Sequence, residues 1–121
     1  MAAEGTDLSI HIDHSGPHPL VRLSGDVDID SSDELTDALK AVLAEIGARP
    51  LVLDLTEVEF MDSSGLGVLV GAHKEATAQG GTLILAAPHP RVAKILRITK
   101  LHKVFTVSPS VDEAMAADGA V

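Results

Sequence analysis

The chain opens with a short alternation of apolar and polar side chains, which is the pattern of a β-strand with one buried face. Residues 8–12 read Leu-Ser-Ile-His-Ile, so every second side chain is apolar. The segment 13–19 is rich in Gly and Pro and favours a turn, and residues 20–25 return to a strand-like pattern. The short connection predicts that the two strands form a hairpin.

The pattern then changes to apolar side chains three and four residues apart, which predicts a helix. Ser31 precedes this helix and Gly47 follows it, and both residue types are common at helix ends. Ser31 and Glu34 have the spacing of a capping box, so we expect the Ser31 hydroxyl to accept a hydrogen bond from the N3 amide. A second helix is expected to open within residues 62–65, where three cap residues stand in a row. A third is expected to start at Pro88 and Pro90, and a fourth after Ser110.

The remaining strands are short apolar runs between these helices. Residues 51–55 are predicted as a buried strand, and residues 56–61 as its continuation into a loop. Residues 82–86 and 104–107 add two more strands. The elements therefore follow the order β-β-α-β-α-β-α-β-α, whose alternation after the hairpin predicts parallel strands with right-handed crossovers.

This order predicts a single α/β domain over residues 7–117. We expect a mostly parallel sheet of about five strands, an antiparallel edge strand at its N-terminal side and about four helices. The remaining residues, 1–6 and 118–121, are expected to be flexible ends. A chain of 121 residues is long enough for one such domain and too short for two ordinary ones.

Composition excludes several kinds of chemistry. The absence of cysteine rules out disulfides, zinc–thiolate sites and thiol catalysis, and no apolar run is long enough to span a bilayer. No secretory signal is visible, so we expect a cytoplasmic protein. The formal net charge of −9 makes nucleic acid and anionic membranes poor partners. The two aromatic residues, Phe60 and Phe105, provide no stacking platform for single-stranded nucleic acid.

The charge is distributed unevenly along the sequence. Residues 1–62 hold 14 acids and 3 bases, whereas residues 63–121 hold 4 acids and 6 bases. The acidic half is either ordinary solvated surface or a face that meets a basic partner. In the third predicted helix, bases recur at every third position, at Arg91, Lys94, Arg97 and Lys100. These bases form either a solvated helix face or a contact for an acidic partner.

Two polar segments follow the second and third strands of the predicted sheet, at the carboxyl ends where functional residues of such sheets gather. Residues 26–30 read Asp-Val-Asp-Ile-Asp, and residues 62–67 read Asp-Ser-Ser-Gly-Leu-Gly at the start of a helix. A helix start has unpaired amides and a positive dipole end, so a serine there is a sensible phosphate acceptor. The same residue types are also ordinary helix caps, and spacing alone does not distinguish the two interpretations.

At this point the sequence resembles a known family, the bacterial anti-sigma factor antagonists with a STAS domain. Residues 60–69, Phe-Met-Asp-Ser-Ser-Gly-Leu-Gly-Val-Leu, resemble the family's phosphorylation-site signature. Residues 23–28 resemble its earlier strand and acidic segment, and residues 51–55 its central strand. Residues 95–105 and 111–115 resemble the later helix-to-strand segment and the final helix.

The resemblance implies a regulatory binding protein that is not an enzyme and needs no cofactor or metal. In the family, the unphosphorylated form binds an anti-sigma factor that is also a serine kinase, and this binding releases the sigma factor. The kinase then phosphorylates the first serine of the signature, which is Ser63 here, and a PP2C-type phosphatase resets the switch. A monomer that binds neither nucleic acid nor membrane is expected. The implied partner-binding residues are Asp26, Asp28, Asp62, Ser63, Ser64, Gly65 and Leu66.

Alternatives to this interpretation stay open at the level of sequence. Ser64 is a second hydroxyl that could compete with Ser63 as the phosphate acceptor. The chain could instead be an unregulated STAS docking module, or a receiver-like domain phosphorylated on Asp62, with Lys103 as the lysine that such domains use. A serine hydrolase would need His73 or another histidine as a base, but no G-x-S-x-G motif is present. The other histidine considered as the hydrolase base is His102. A metal site would need His11, His14 and His18 as its ligands.

Overall fold

The computed structural model describes residues 8–117 and shows a five-stranded sheet with four α-helices. The predicted flexible ends, 1–6 and 118–121, lie outside the described residues. The strands are β1 (Ser9–Asp13), β2 (Leu20–Val27), β3 (Leu51–Met61), β4 (Leu83–Ala86) and β5 (Thr106–Ser108). The helices are α1 (Ser32–Ile46), α2 (Ser63–Ala78), α3 (Pro90–Ile98) and α4 (Val111–Met115), with a 3₁₀ turn at Leu101–Lys103.

The strands lie in the order β1-β2-β3-β4-β5. β1 pairs antiparallel with β2 through the hairpin, and every other neighbouring pair is parallel. This mixed sheet confirms the predicted fold class. Because β2 to β5 are parallel, their carboxyl ends meet at one edge of the sheet and their amino ends at the opposite edge. We call these the carboxyl edge and the amino edge.

The sheet is covered on both faces, and the larger core lies on one of them. There, buried aliphatic side chains of α1, α2 and α3 pack against the central strands. Leu35, Leu39 and Leu43 of α1 and Leu69 of α2 are almost fully excluded from solvent, as the helical spacing predicts. On the opposite face, α4 covers a smaller cluster around Val52. The helices on the two faces enclose β3, so the segment that follows β3 and leads into α2 has a fixed position.

Strands β2 and β3 extend farther than the sequence pattern indicates. The prediction that residues 56–61 form a loop is wrong, because β3 continues to Met61. The prediction that β2 ends at Gly25 is also wrong, since Asp26 pairs with Phe60 and Val27 with Met61. Val27 and Met61 are buried, so burial and backbone pairing offset the polar residues between the apolar ones. Asp26 therefore lies within β2.

Two local predictions are wrong and one is confirmed. The Ser31 hydroxyl makes no capping bond at the start of α1. Strand β5 begins at Thr106, because the preceding residues turn through the 3₁₀ segment. In contrast, the Ser110 hydroxyl accepts a hydrogen bond from the Glu113 amide at 3.0 Å, as the second capping-box spacing predicts. These differences matter for the site, because Ser31 takes a different role there.

Candidate functional site

The two polar segments that the sequence singles out lie side by side at the carboxyl edge. The Asp62 amide donates to the Val27 carbonyl at 3.2 Å, which continues the pairing of β2 and β3 past the strand ends. The Asp62 Oδ2 atom accepts from the Ile29 amide at 3.2 Å. The junction between β3 and α2 is therefore joined to the loop between β2 and α1, residues 28–31, which we call the β2–α1 loop.

Asp62 also caps α2. Its Oδ1 atom accepts from the Gly65 amide at 3.1 Å, so both carboxylate oxygens of Asp62 bind backbone N–H groups. The backbone of Asp62 is extended, as N-cap residues usually are. This confirms that the Asp62 segment opens a helix. It also means that the carboxylate of Asp62 is held in place by the fold.

Ser63 is the first residue of α2, and its side chain is exposed. It follows the capped Asp62 directly, so its position is fixed by a rigid helix start although its hydroxyl faces solvent. The N-terminus of this 16-residue helix carries a positive dipole end that favours an anion. Ser64, the next residue, is half-buried. Of the two predicted acceptors, Ser63 is therefore the more accessible.

Gly65 is buried where α2 meets the ends of β2 and β3. A Cβ atom at this position would lie 2.5 Å from the Val27 carbonyl oxygen and 2.8 Å from Met61 Cγ. Atoms cannot approach this closely, so the first turn of α2 could not seat against the strands with a larger residue. Leu66 is half-buried and packs against the main core. Gly65 and Leu66 thus fix the helix start that carries Ser63.

The β2–α1 loop is held by its own polar groups. The Asp28 Oδ1 atom accepts from the Asp30 amide at 3.0 Å and from the Ser31 amide at 3.2 Å. The fully buried Ser31 hydroxyl donates to the Asp26 carbonyl at 2.9 Å and accepts from the Asp28 amide at 3.0 Å. The Ser31 hydroxyl is thus occupied within the loop, which explains why it does not cap α1. Asp28 is half-buried and shapes the loop beside Asp62.

Two exposed apolar side chains lie beside these acids. Ile29 is 71 % exposed and occupies the β2–α1 loop, and its amide is the one that binds Asp62. Phe60 is 49 % exposed and lies opposite Asp26 on β3. Large apolar side chains exposed beside a polar site are typical of a docking surface. Sequence reasoning did not select them, although an Ile between two Asp residues is a visible signal.

A groove runs from this site between α1 and α2. Its volume is about 390 Å³, and its floor contains the apolar Leu39 and Leu43. Ser64 lies in the wall of the groove, together with Gly67 and Gly71 of the same helix. Ser64 therefore faces the space between the helices, whereas Ser63 lies on the exposed side of the helix start.

The structure does not bring together the residues of the alternative hydrolase, receiver-like and metal sites among the residues it describes. His73 lies ten residues after Ser63 in α2, about 15 Å along a helix of this pitch. Its ring packs edge-on against Phe105 with the ring centres 5.6 Å apart. Lys103 lies in the 3₁₀ turn before β5, at the amino edge and far from Asp62. Within residues 8–117, no three His, Cys, Asp or Glu side chains form a metal-binding group, including those of His11, His14 and His18.

Comparisons with known proteins agree with this fold. The family model of the STAS domain matches residues 9–114. An anti-sigma F factor antagonist of Paenibacillus polymyxa is 32 % identical over 84 % of this chain and 86 % of its own length. An anti-sigma-B factor antagonist of Bacillus subtilis is 39 % identical over 73 % of this chain and 79 % of its own.

A solved structure has the same fold as this chain. The crystal structure of an anti-sigma factor antagonist from Mycobacterium paratuberculosis superimposes with a TM-score of 0.79. It is 26 % identical and covers 96 % of this chain and 97 % of its own. No helix among residues 8–117 has the length and apolar character needed to cross a membrane. The family match, the relatives and the shared fold together show that this chain belongs to the STAS domain family.

Proposed function

We propose that this chain is an anti-sigma factor antagonist that is switched by phosphorylation of Ser63. In the unphosphorylated form it binds an anti-sigma factor that is also a serine kinase, and the sigma factor is released. The kinase transfers phosphate to Ser63, the complex separates, and a PP2C-type phosphatase restores the unmodified form. The chain acts as a monomeric cytoplasmic binding protein without catalytic groups of its own.

The observation that carries this proposal is the exposed hydroxyl of Ser63 on a helix start that is otherwise fixed. A kinase must bring the acceptor oxygen in line with the γ-phosphate of ATP, so a well-positioned and accessible acceptor favours transfer. Asp62 and Gly65 position the backbone on either side of Ser63, through the capping bond and through close packing. The names of the relatives from Paenibacillus and Bacillus support the same function.

The surface around Ser63 also suits a protein partner. Ile29 and Phe60 offer exposed apolar area, and the half-buried carboxylates of Asp26 and Asp28 lie beside them. An apolar centre with a charged rim is the common anatomy of a protein interface. In this proposal the anti-sigma factor covers this surface, together with the exposed part of the first turn of α2.

Phosphorylation would act by charge and would not require refolding. A phosphoserine adds about −1.5 to −2 charges at pH 7, and the positive end of α2 can accommodate them in the free protein. In the complex the same phosphate would lie beside Asp62, near the β2–α1 loop and against the nucleotide phosphates of the kinase. Like charges held close together at an interface cost several kcal/mol, so the complex weakens.

Phosphosite mapping tests the proposal. The protein is incubated with ATP and each candidate anti-sigma kinase from the same genome, and the product is examined by mass spectrometry. We expect one phosphate on Ser63, no product from Ser63→Ala, and a normal yield from Ser64→Ala. Stable binding without modification would instead identify an unregulated docking module. A phosphate on Asp62, revealed by its lability to hydroxylamine, would contradict the proposal.

A further inference from the structure

A second surface with the opposite charge lies on the far side of the molecule. Residues 76–111 contain five Lys or Arg and no Asp or Glu, although the whole chain has a net charge of −9. All five cations are exposed, and none forms an ion pair with another described residue. They lie on α3, in the 3₁₀ turn after it and on the short link between the two: Arg91, Lys94, Arg97, Lys100 and Lys103.

Exposed aliphatic side chains lie among these cations. Ile98 ends α3 and is 69 % exposed, one turn after Lys94 on the same helix face. Val104 follows the 3₁₀ turn and is 48 % exposed. The exposed apolar side chains are thus separated from the buried face of α3, which carries Val92 and Leu96. We call Lys94, Arg97, Ile98, Lys100, Lys103 and Val104 the basic surface.

The basic surface is remote from Ser63. Ser63 follows the carboxyl end of β3, whereas Val104 immediately precedes the chain that enters β5 at the amino edge. Strand β3 connects the two edges over 11 residues, and a strand rises about 3.3 Å per residue. The Val104 end of the basic surface is therefore roughly 30 Å from Ser63 along the strands. Helix α3 follows β4, which ends beside Asp54, seven residues before the Met61 end of β3, so a partner at Ser63 leaves most of the basic surface free.

We propose that the basic surface binds an acidic, amphipathic segment of a second protein partner. The apolar side chains would contact the apolar face of that segment, and the surrounding cations would pair with its carboxylates, as in the apolar core and polar rim of a protein interface. The proposal goes beyond the Ser63 switch, since it assigns a second interaction to the opposite end of the molecule.

The chemistry of the surface favours a protein over nucleic acid or membrane. Nucleic acid binding relies on cations and stacking aromatic rings, but the nearby Phe105 is buried and the exposed large apolar side chains, Ile98 and Val104, are aliphatic. Membrane association uses longer amphipathic helices with bulky residues inserted into the lipid, whereas α3 has 9 residues. A small apolar centre with exposed cations around it is better matched to an acidic protein segment.

Fluorescence anisotropy with defined probes tests the proposal on the full chain. The probe is a labelled synthetic amphipathic helix of about 18 residues, or five turns, with a Leu face and a Glu face. A second peptide has the same Leu face and Lys in place of Glu. We expect saturable binding of the Glu peptide at physiological salt, weakening as salt rises, and no binding of the Lys peptide.

Matched variants locate the binding. Lys94→Glu with Arg97→Glu should weaken binding of the Glu peptide at least about tenfold. Lys40→Glu with Lys74→Glu changes the net charge equally on exposed positions of α1 and α2, and should leave binding unchanged. Ile98→Ser should also weaken binding, whereas Ile12→Ser on β1 should not.

Several results would overturn the proposal. They are absence of saturable binding of the Glu peptide, an equal loss in the Lys40 and Lys74 control, or tighter binding to duplex DNA or to phosphatidylglycerol vesicles than to the peptide. Self-association of the chain that disappears in the Lys94 and Arg97 variant would assign the surface to a second copy. None of these measurements depends on phosphorylation, so the Ser63 switch can fail or hold independently of them.

Discussion

At the scale of single residues, Asp62 joins the two halves of the site with one carboxylate. One oxygen caps α2 at the Gly65 amide, and the other accepts from the Ile29 amide in the β2–α1 loop. A carboxylate can serve both donors because each oxygen accepts independently. The position of Ser63 relative to its neighbouring loop therefore depends on the residue just before it.

Replacing Asp62 tests this role. Asp62→Ala removes the cap and the link between the loops, and we expect a loss of about 1–2 kcal/mol in the free energy of unfolding. Asp62→Asn should lose less, since its single amide oxygen can still accept one of the two bonds. Urea unfolding followed by circular dichroism measures both. Equal stability of the alanine variant and the parent protein would show that the carboxylate is not structural.

Gly65 is required by space, whereas Gly67 is not. We expect Gly65→Ala to lower the free energy of unfolding by about 1–3 kcal/mol, because its Cβ would overlap the Val27 carbonyl. Gly67→Ala is the matched control in the same helix. Nothing lies within 4 Å of its added Cβ, so the higher helix propensity of Ala should stabilise the protein by up to about 1 kcal/mol. The opposite order of stabilities would contradict the observed packing.

At the scale of elements, features that depend on neighbouring residues could be predicted from the sequence, whereas features that depend on contacts between distant segments could not. The start of α2 could be predicted, because a cap depends on residues within one turn, although three consecutive residues could have capped it and the structure selects Asp62. The continuation of β3 to Met61 could not, since Glu57, Glu59 and Phe60 break the apolar pattern and only pairing with β2 keeps this stretch extended. The Ser31 hydroxyl was misassigned for a related reason, because β2 brings the Asp26 carbonyl within its reach.

The candidate site was predictable to the same extent. The polar segments around Asp28 and Asp62 were expected just after the carboxyl ends of strands, and the structure joins them through Ile29. The exposure of Ile29 and Phe60 was not foreseen. Exposure of an apolar side chain depends on which neighbours pack over it, and no pattern of spacing contains that information.

The elements around Ser63 should keep their positions when phosphate is added. The Asp62 bonds and the packing of Gly65 do not involve the Ser63 hydroxyl, so nothing in the fold has to break. In ¹H–¹⁵N spectra of the phosphorylated protein, we expect shifts confined to the start of α2 and the β2–α1 loop. Shifts spread through β4, β5 and α3 would indicate a rearrangement and contradict a switch based on charge alone.

At the scale of the whole molecule, opposite charges occupy opposite regions. The acidic half of the sequence supplies the carboxylates around Ser63, whereas the cations lie along α3 and in the 3₁₀ turn that leads to the amino end of β5. Exposed charges separated by more than a Debye length of about 8 Å interact weakly at physiological salt. The two surfaces should therefore act independently.

This independence can be measured with the charge-reversed protein. Lys94→Glu with Arg97→Glu should be phosphorylated on Ser63 at the same rate as the parent protein, because α3 follows β4, which ends beside Asp54, seven residues before the Met61 end of β3 that leads to Ser63. Phosphate incorporation over time, at several salt concentrations, provides the comparison. A large change in rate that persists at high salt would mean that α3 also contacts the kinase.

The central claim is that a phosphate on Ser63 ends the binding of the anti-sigma factor. Isothermal titration calorimetry with one anti-sigma kinase and its bound nucleotide compares the unphosphorylated protein with the protein phosphorylated on Ser63. We predict an affinity at least about tenfold lower for the phosphorylated form, which corresponds to about 1.4 kcal/mol of interface repulsion. Equal affinities of the two forms for that kinase would contradict the account.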